Sequence, residues 1–238
     1  MGIEGRAVLM LAWGYSQAEI AVAVGKGARV DNALRGPGRR PPGRGPKDSF
    51  GKTSGGGMVK MKGIIFSVLK EYAGNRHGDG GREAFRRATG LTAPLATSDY
   101  PDEKVAAAVG ALAELSGKKP EEVLADFGRY FVAESPLIQK TYAAYFKNAR
   151  DARDFLLKMD SVHVQTTKAL PGAAPPRFEY EDRGGELVVV YRSERKLCLL
   201  LKGLIEGIGL WYNGRPLSWH EEACMLGGAK ACRVAVRF

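Results

Sequence analysis

The chain has 238 residues, 45% of them hydrophobic, with a formal net charge of +10 and three cysteines. That length holds one domain with extensions or two small ones, and the low, odd cysteine count argues against a disulfide-built secreted scaffold and for a reducing, cytoplasmic compartment. The charge invites a nucleic-acid or membrane partner. However, residues 1–60 carry ten Lys/Arg against four Asp/Glu, while residues 61–238 carry 26 against 22, so the basic excess lies mostly in the first quarter. A bilayer span needs ~20 consecutive apolar residues. The segment Ala7–Trp13 is far shorter, and Glu19 interrupts its continuation.

Residues 35–57 contain 12 Gly and Pro among 23 residues, too little apolar surface to offset the entropy of ordering. The sequence therefore predicts a disordered linker there. Gly51-Lys52-Thr53 within it resembles the end of a phosphate-binding loop, but the glycine required five positions earlier is Pro46, which disfavours an ATPase reading. Met58 and Met61 are both suitable starts, so residues 1–60 are either a native tail or sequence upstream of the true beginning. A nucleic-acid binder driven by residues 26–60 is disfavoured because no aromatic platform accompanies the basic residues.

From Met61 the pattern becomes orderly. Ile64, Ile65, Val68, Leu69 and Tyr72 form one helical face. A short helix is expected over 81–88, closed by Gly90, with His77 in a solvated loop before it. Acids near Asp99-Tyr100-Pro101-Asp102-Glu103 open a helix over 101–115, and Pro120 opens another to about Ala133. A single helix is expected over 148–169, stopping before Pro171-Gly172. Phe178–Asp182 and Glu186–Ser193 read as a hairpin, 194–212 as helix, and Cys232–Phe238 as a final strand. The fold class is α+β: an N-terminal helical subdomain over the first part of 61–238, then an antiparallel sheet with packed helices, with 1–60 as a disordered extension.

Three constellations carry candidate chemistry. On one helix Leu156, Met159 and His163 share an apolar face, so His163 is either a satisfied core residue or a ligand to something buried, such as haem iron. At a strand end, period two places Tyr191, Ser193 and Arg195 on one side, two hydroxyls and a guanidinium converging on an anion; alternatively Ser193 caps the next helix. Cys198, His220, Cys224 and Cys232 fall within the last 41 residues and form a candidate zinc set, although the spacing lacks the usual short knuckle. The alternative is three ordinary buried cysteines and an exposed His220.

Met61-Lys62-Gly63-Ile64-Ile65, the stretch Met159–Gln165, the stretch Gly172–Arg177, and Tyr191–Arg195 followed by Gly203–Gly207 together resemble the H-NOX family, the haem nitric-oxide/oxygen-binding domains related to the haem domain of soluble guanylate cyclase. The resemblance runs from Met61 to Phe238 and leaves residues 1–60 without a counterpart. It implies haem b held by His163 as the proximal iron ligand, propionates bound by Tyr191, Ser193 and Arg195, and Pro176 pressing on the porphyrin. Ile65 joins the implied cofactor contacts. It also implies that Leu200, Leu69 and Phe131 occupy the positions where oxygen-holding members carry a distal tyrosine and its polar supports. Apolar residues there favour NO over O₂, provided that the neighbouring Tyr130 points elsewhere. The implied protein is a non-enzymatic sensor acting on a separate partner, such as a histidine kinase or a cyclic-di-GMP enzyme. Some bacterial members similarly carry zinc near the C-terminus, so a zinc-thiol redox sensor on the same fold is the alternative.

Overall fold

A computed structural model describes residues 60–168 and 175–238. The expected linker, and the Gly172–Ala174 part of the motif preceding Pro175, lie outside the described residues.

Strand β1 (Lys60–Lys62) pairs antiparallel with β2 (Asp99–Pro101) and brackets helix α1 (Gly63–Thr89). The two helices expected from Met61 and Gly81 are halves of α1, joined where Gly78 takes φ 58° and ψ −141°. A side chain at that φ would be strained, so glycine permits the bend without ending the helix. His77 accordingly lies in α1 rather than in a loop, a correction to the expectation above.

Helix α2 (Glu103–Ser116) begins two residues later than expected because Asp99–Pro101 are in strand β2. Helix α3 (Pro120–Ala133) opens as the sequence predicts: proline occupies its first turn, and the Glu122 carboxylate accepts the Lys119 backbone N–H at 2.7 Å. Four short helices follow: α4 (Pro136–Thr141), α5 (Ala143–Asn148), α6 (Ala152–Leu157) and α7 (Met159–Thr167). The single helix expected over 148–169 is thus two. Asp151 caps α6 by accepting the Asp154 N–H at 2.8 Å, and Lys158 closes it with a tight backbone bond to Phe155. The Lys158 ammonium also donates to the Asn148 carbonyl at 2.8 Å, holding the break in place.

Strands β3 (Arg177–Asp182), β4 (Glu186–Arg192), β5 (Ser218–Ala223) and β6 (Cys232–Arg237) form one antiparallel sheet ordered β3-β4-β6-β5. Alternation sends Leu187, Val189, Tyr191, Cys232, Val234 and Val236 toward the helices, where they join the main core. Val188, Val190 and Ala235 form a small cluster on the other face. Beside them on that face, Arg233 and Arg183 bridge to Glu181 and Glu222.

Helix α8 (Cys198–Asn213) packs closely along α3. A Cβ on Gly203 would lie 2.0 Å from the Ala125 carbonyl oxygen, so the two backbones meet with no room for a side chain. The sequence, the helix–sheet layering and this topology agree on an α+β domain.

Candidate functional site

A cavity of about 300 Å³ opens between β1, α1, α3, α6, α7, β3, β4 and α8. Its wall is dominated by Ile65, Phe127, Phe131, Phe178, Leu200 and Leu204, with polar groups confined to a few positions. This is the usual make-up of a cofactor site: apolar surface for binding and a few polar groups for orientation.

His163 lies on this wall, and Leu156 and Met159 line it too, although the break at Lys158 separates Leu156 from their helix. The His163 Nδ1 lies 2.8 Å from the Met159 carbonyl oxygen. A carbonyl only accepts, so Nδ1 carries the proton and Nε2 keeps a free lone pair. Burial lowers the His163 pKa, against the pull of the Met159 carbonyl and Asp160, which keeps the ring neutral. A neutral imidazole with a fixed tautomer is the form that ligates a metal.

Tyr191 is the last but one residue of β4, while Ser193 and Arg195 sit in the turn beyond it, and all three still face the cavity. Burial pushes the Tyr191 hydroxyl up to about 12, so it remains a donor. The Ser193 hydroxyl accepts the Arg195 N–H at 3.2 Å; it does not cap α8, which begins after Leu197. The Arg195 Nε donates to Asp102 at 2.9 Å, and its Nη2 donates to the Lys60 carbonyl at 2.7 Å. Burial raises the Asp102 pKa in spite of Arg195, and one of its carboxylate oxygens, Oδ1, is buried without a hydrogen-bond partner. Nothing in the local sequence announces Asp102 as a partner of Arg195, because 93 residues separate them.

Ile65, Phe131, Leu200 and Pro176 all line the cavity, and so does Pro175. Leu69 does not. It is fully buried, one turn of α1 beyond Ile65, where the helix has passed into the main core. Tyr130 points away from the cavity: its ring lies 5.5 Å from Tyr72 and beneath the Arg76 guanidinium. The wall is not free of hydroxyls, however. Tyr142, Tyr145 and Tyr180 line it, and the aromatic run Tyr142–Phe146 was the overlooked sequence signal.

Of the expected zinc set, the structure unites three members. The Cys198 and Cys232 sulfurs are 2.9 Å apart, Cys224 is 3.9 Å from Cys232, and all three lie within 4.8 Å of one another. The contact with Cys232 and burial push the Cys198 thiol up, while the same contact draws Cys232 down. His220 is not in this group. It pairs with Ala235 on the sheet face away from the helices, while Cys232 points inward, and its Nδ1 lies 3.9 Å from Glu186. Strand alternation therefore separates His220 from the thiols.

The residues fit a haem. One neutral imidazole faces an apolar cavity, with a tyrosine, a serine and an arginine gathered at another part of its wall. Comparison with known proteins agrees. Residues 62–218 match the family model described as haem-NO-binding. A solved H-NOX protein from S. oneidensis in its Fe(II)NO state superposes with a TM-score of 0.67 at 18% identity, covering 74% of this chain and 98% of that one. An oxygen-binding H-NOX domain related to soluble guanylate cyclases, solved as its oxygen complex, gives 0.65 at 26% identity over 75% and 95%. A variant of the T. tengcongensis H-NOX protein gives 0.64 at 26% identity over 75% and 97%. No curated protein matches by sequence.

Fold and cavity define a haem-based gas-sensor domain. The chain belongs to the haem-NO-binding, or H-NOX, family. Among the described residues no helix is long and apolar enough to cross a membrane.

Proposed function

We propose that this chain is a sensor of nitric oxide that holds haem b through His163 and signals to a separate partner. The observation that carries this is the His163 ring itself, neutral, with Nδ1 committed to the Met159 carbonyl and Nε2 left to bind. Haem, when bound, supplies a ferrous iron able to take a diatomic gas. Tyr191, Ser193 and Arg195 hold its propionates, Arg195 being pre-oriented by Asp102 and Lys60. Pro176, on the cavity wall, would lie against the porphyrin.

Leu200 and Phe131 set the gas preference. Neither side chain can donate a hydrogen bond, so neither stabilises the partial negative charge of bound oxygen, whereas NO needs no such donor. With haem held by His163, loss of that bond would free α7, and a partner would read the change only if it bound the two states with different affinity. A cytoplasmic histidine kinase or cyclic-di-GMP enzyme fits that role.

Absorption spectra of the reduced protein test this reading. They are expected to be five-coordinate, unchanged by air and altered by NO. His163→Ala is expected to lose the Soret band, with recovery on adding imidazole. A stable oxygen complex would overturn the gas preference, and an undiminished Soret band in His163→Ala would overturn the ligand.

The convergence of Cys198, Cys224 and Cys232 favours a second role beside the first, zinc binding by three thiolates with redox sensitivity through their oxidation. Zinc is expected at one equivalent per chain, falling to near zero in Cys232→Ser and persisting in His220→Ala. Metal analysis of the purified variants checks this.

A further inference from the structure

Helix α7 has a weak claim on its position. It is nine residues long, and none of its residues is fully buried. Its first turn nevertheless carries a dense set of contacts to β3, all centred on Asp160. The Asp160 Oδ1 accepts from Arg177 Nε at 2.9 Å and from the Phe178 backbone N–H at 2.9 Å, while Oδ2 accepts from Arg177 Nη2 at 3.1 Å. β3 is an edge strand, so the Phe178 N–H that points away from β4 has no strand partner, and Asp160 supplies the acceptor.

The same two segments meet at the cavity. The Phe178 ring lies 5.3 Å from the His163 ring and 5.5 Å from Tyr191. The Met159 carbonyl, adjoining Asp160 in the chain, receives the His163 Nδ1 proton. Tyr180, two residues along β3, buries its hydroxyl without a hydrogen-bond partner. One carboxylate thus fixes the backbone of the strand whose side chain flanks the imidazole, and the turn whose carbonyl orients it.

We propose that Asp160 is the positioning residue for His163, latching the first turn of α7 to the β3 edge so that the imidazole is presented to the iron at a fixed depth and angle. This rests on His163 being the haem ligand. The Phe178 N–H bond is the essential part of the latch. The Arg177 bonds contribute less, because that side chain is 64% exposed.

The full-length, haem-loaded protein tests this with three variants: Asp160→Ala, Asp160→Asn and Arg177→Ala. Resonance Raman of the ferrous form reads the iron–histidine stretch, and stopped flow reads how fast that bond is lost after NO is added. Asp160→Ala is expected to lower and broaden the stretch and to speed bond loss by about tenfold, as expected when a charge-assisted bond holding a two-state element is removed. Asp160→Asn keeps an acceptor for the Phe178 N–H and is expected to recover most of both signals, and Arg177→Ala is expected to stay near wild type. In haem-free protein, Asp160→Ala is expected to raise hydrogen exchange across α7 while leaving α8 unchanged.

Wild-type values for Asp160→Ala in both readouts would overturn the latch, even with His163→Ala losing its Soret band. If Asp160→Ala fails to fold, Asp160→Asn carries the test. A full loss of signal in Asn equal to that in Arg177→Ala would overturn the backbone latch in favour of the ion pair. A Soret band that survives in His163→Ala would instead remove the underlying reading.

Discussion

Helices α7 and α8 face the same cavity and are held in opposite ways. Seven of the 16 residues of α8 are buried, and it lies so close to α3 that Gly203 leaves no space for a Cβ. α7 has no fully buried residue and is joined to the sheet through Asp160. One wall is set by close packing, which resists displacement because every shift opens voids or clashes. The other is set by a few directional bonds, which break at modest cost. A sensor needs that asymmetry, with a fixed frame against which one element moves.

The strongest way to break the contrast is to attack the rigid wall. Gly203→Val is expected to lower unfolding free energy by about 3 kcal/mol, because α3 and α8 must separate to admit the side chain. Urea denaturation of haem-free protein measures it, and a loss well under that would mean that the α3–α8 contact is softer than it looks. The loose wall gives the complementary result. In the haem-free protein His163→Ala is expected to cost less than about 1 kcal/mol, since its ring faces the cavity rather than packed core.

The smallest expected effect concerns the sheet's outer face, remote from both helices. Arg233 draws the Glu181 carboxyl down from 4.5 to about 2. A depressed carboxylate contributes stability that is complete above pH 4.5 and is lost as pH falls toward 2. Arg233→Ala is expected to remove that contribution, lowering stability slightly at neutral pH, as befits an exposed pair, flattening the acid limb within that window and converging with wild type near pH 2. An acid titration of the unfolding midpoint checks this. A large change at neutral pH would show that the outer face supports the cavity walls after all.

Much of this was legible in the chain. Alternation in Glu186–Arg192 and Cys232–Arg237 marked two strands, and the Tyr191-x-Ser193-x-Arg195 spacing survived as a group at the cavity even though its last two members left the strand. Strand β5 was not foreseen, because Ser218–Ala223 is charged on its exposed side and offers little alternation. The split between α6 and α7 was also missed. Apolar spacing continues across Lys158, and only the Asp151 cap and the bond from Lys158 to Phe155 end the first helix.

The sequence by itself determined the α+β class and the apolar face that carries His163, because each is a local pattern whose period the backbone enforces, and its motifs singled out Tyr191, Ser193 and Arg195 through their resemblance to the family. Tertiary structure decided who stands beside them. It gathered Cys198 with Cys224 and Cys232 and turned His220 away, sent Leu69 into the core, set Asp102 behind Arg195, and placed Asp160 against the edge of β3. Those partners come from sheet register and helix docking across tens of residues, where free energy depends on the whole packed assembly and leaves no short-range trace in the chain.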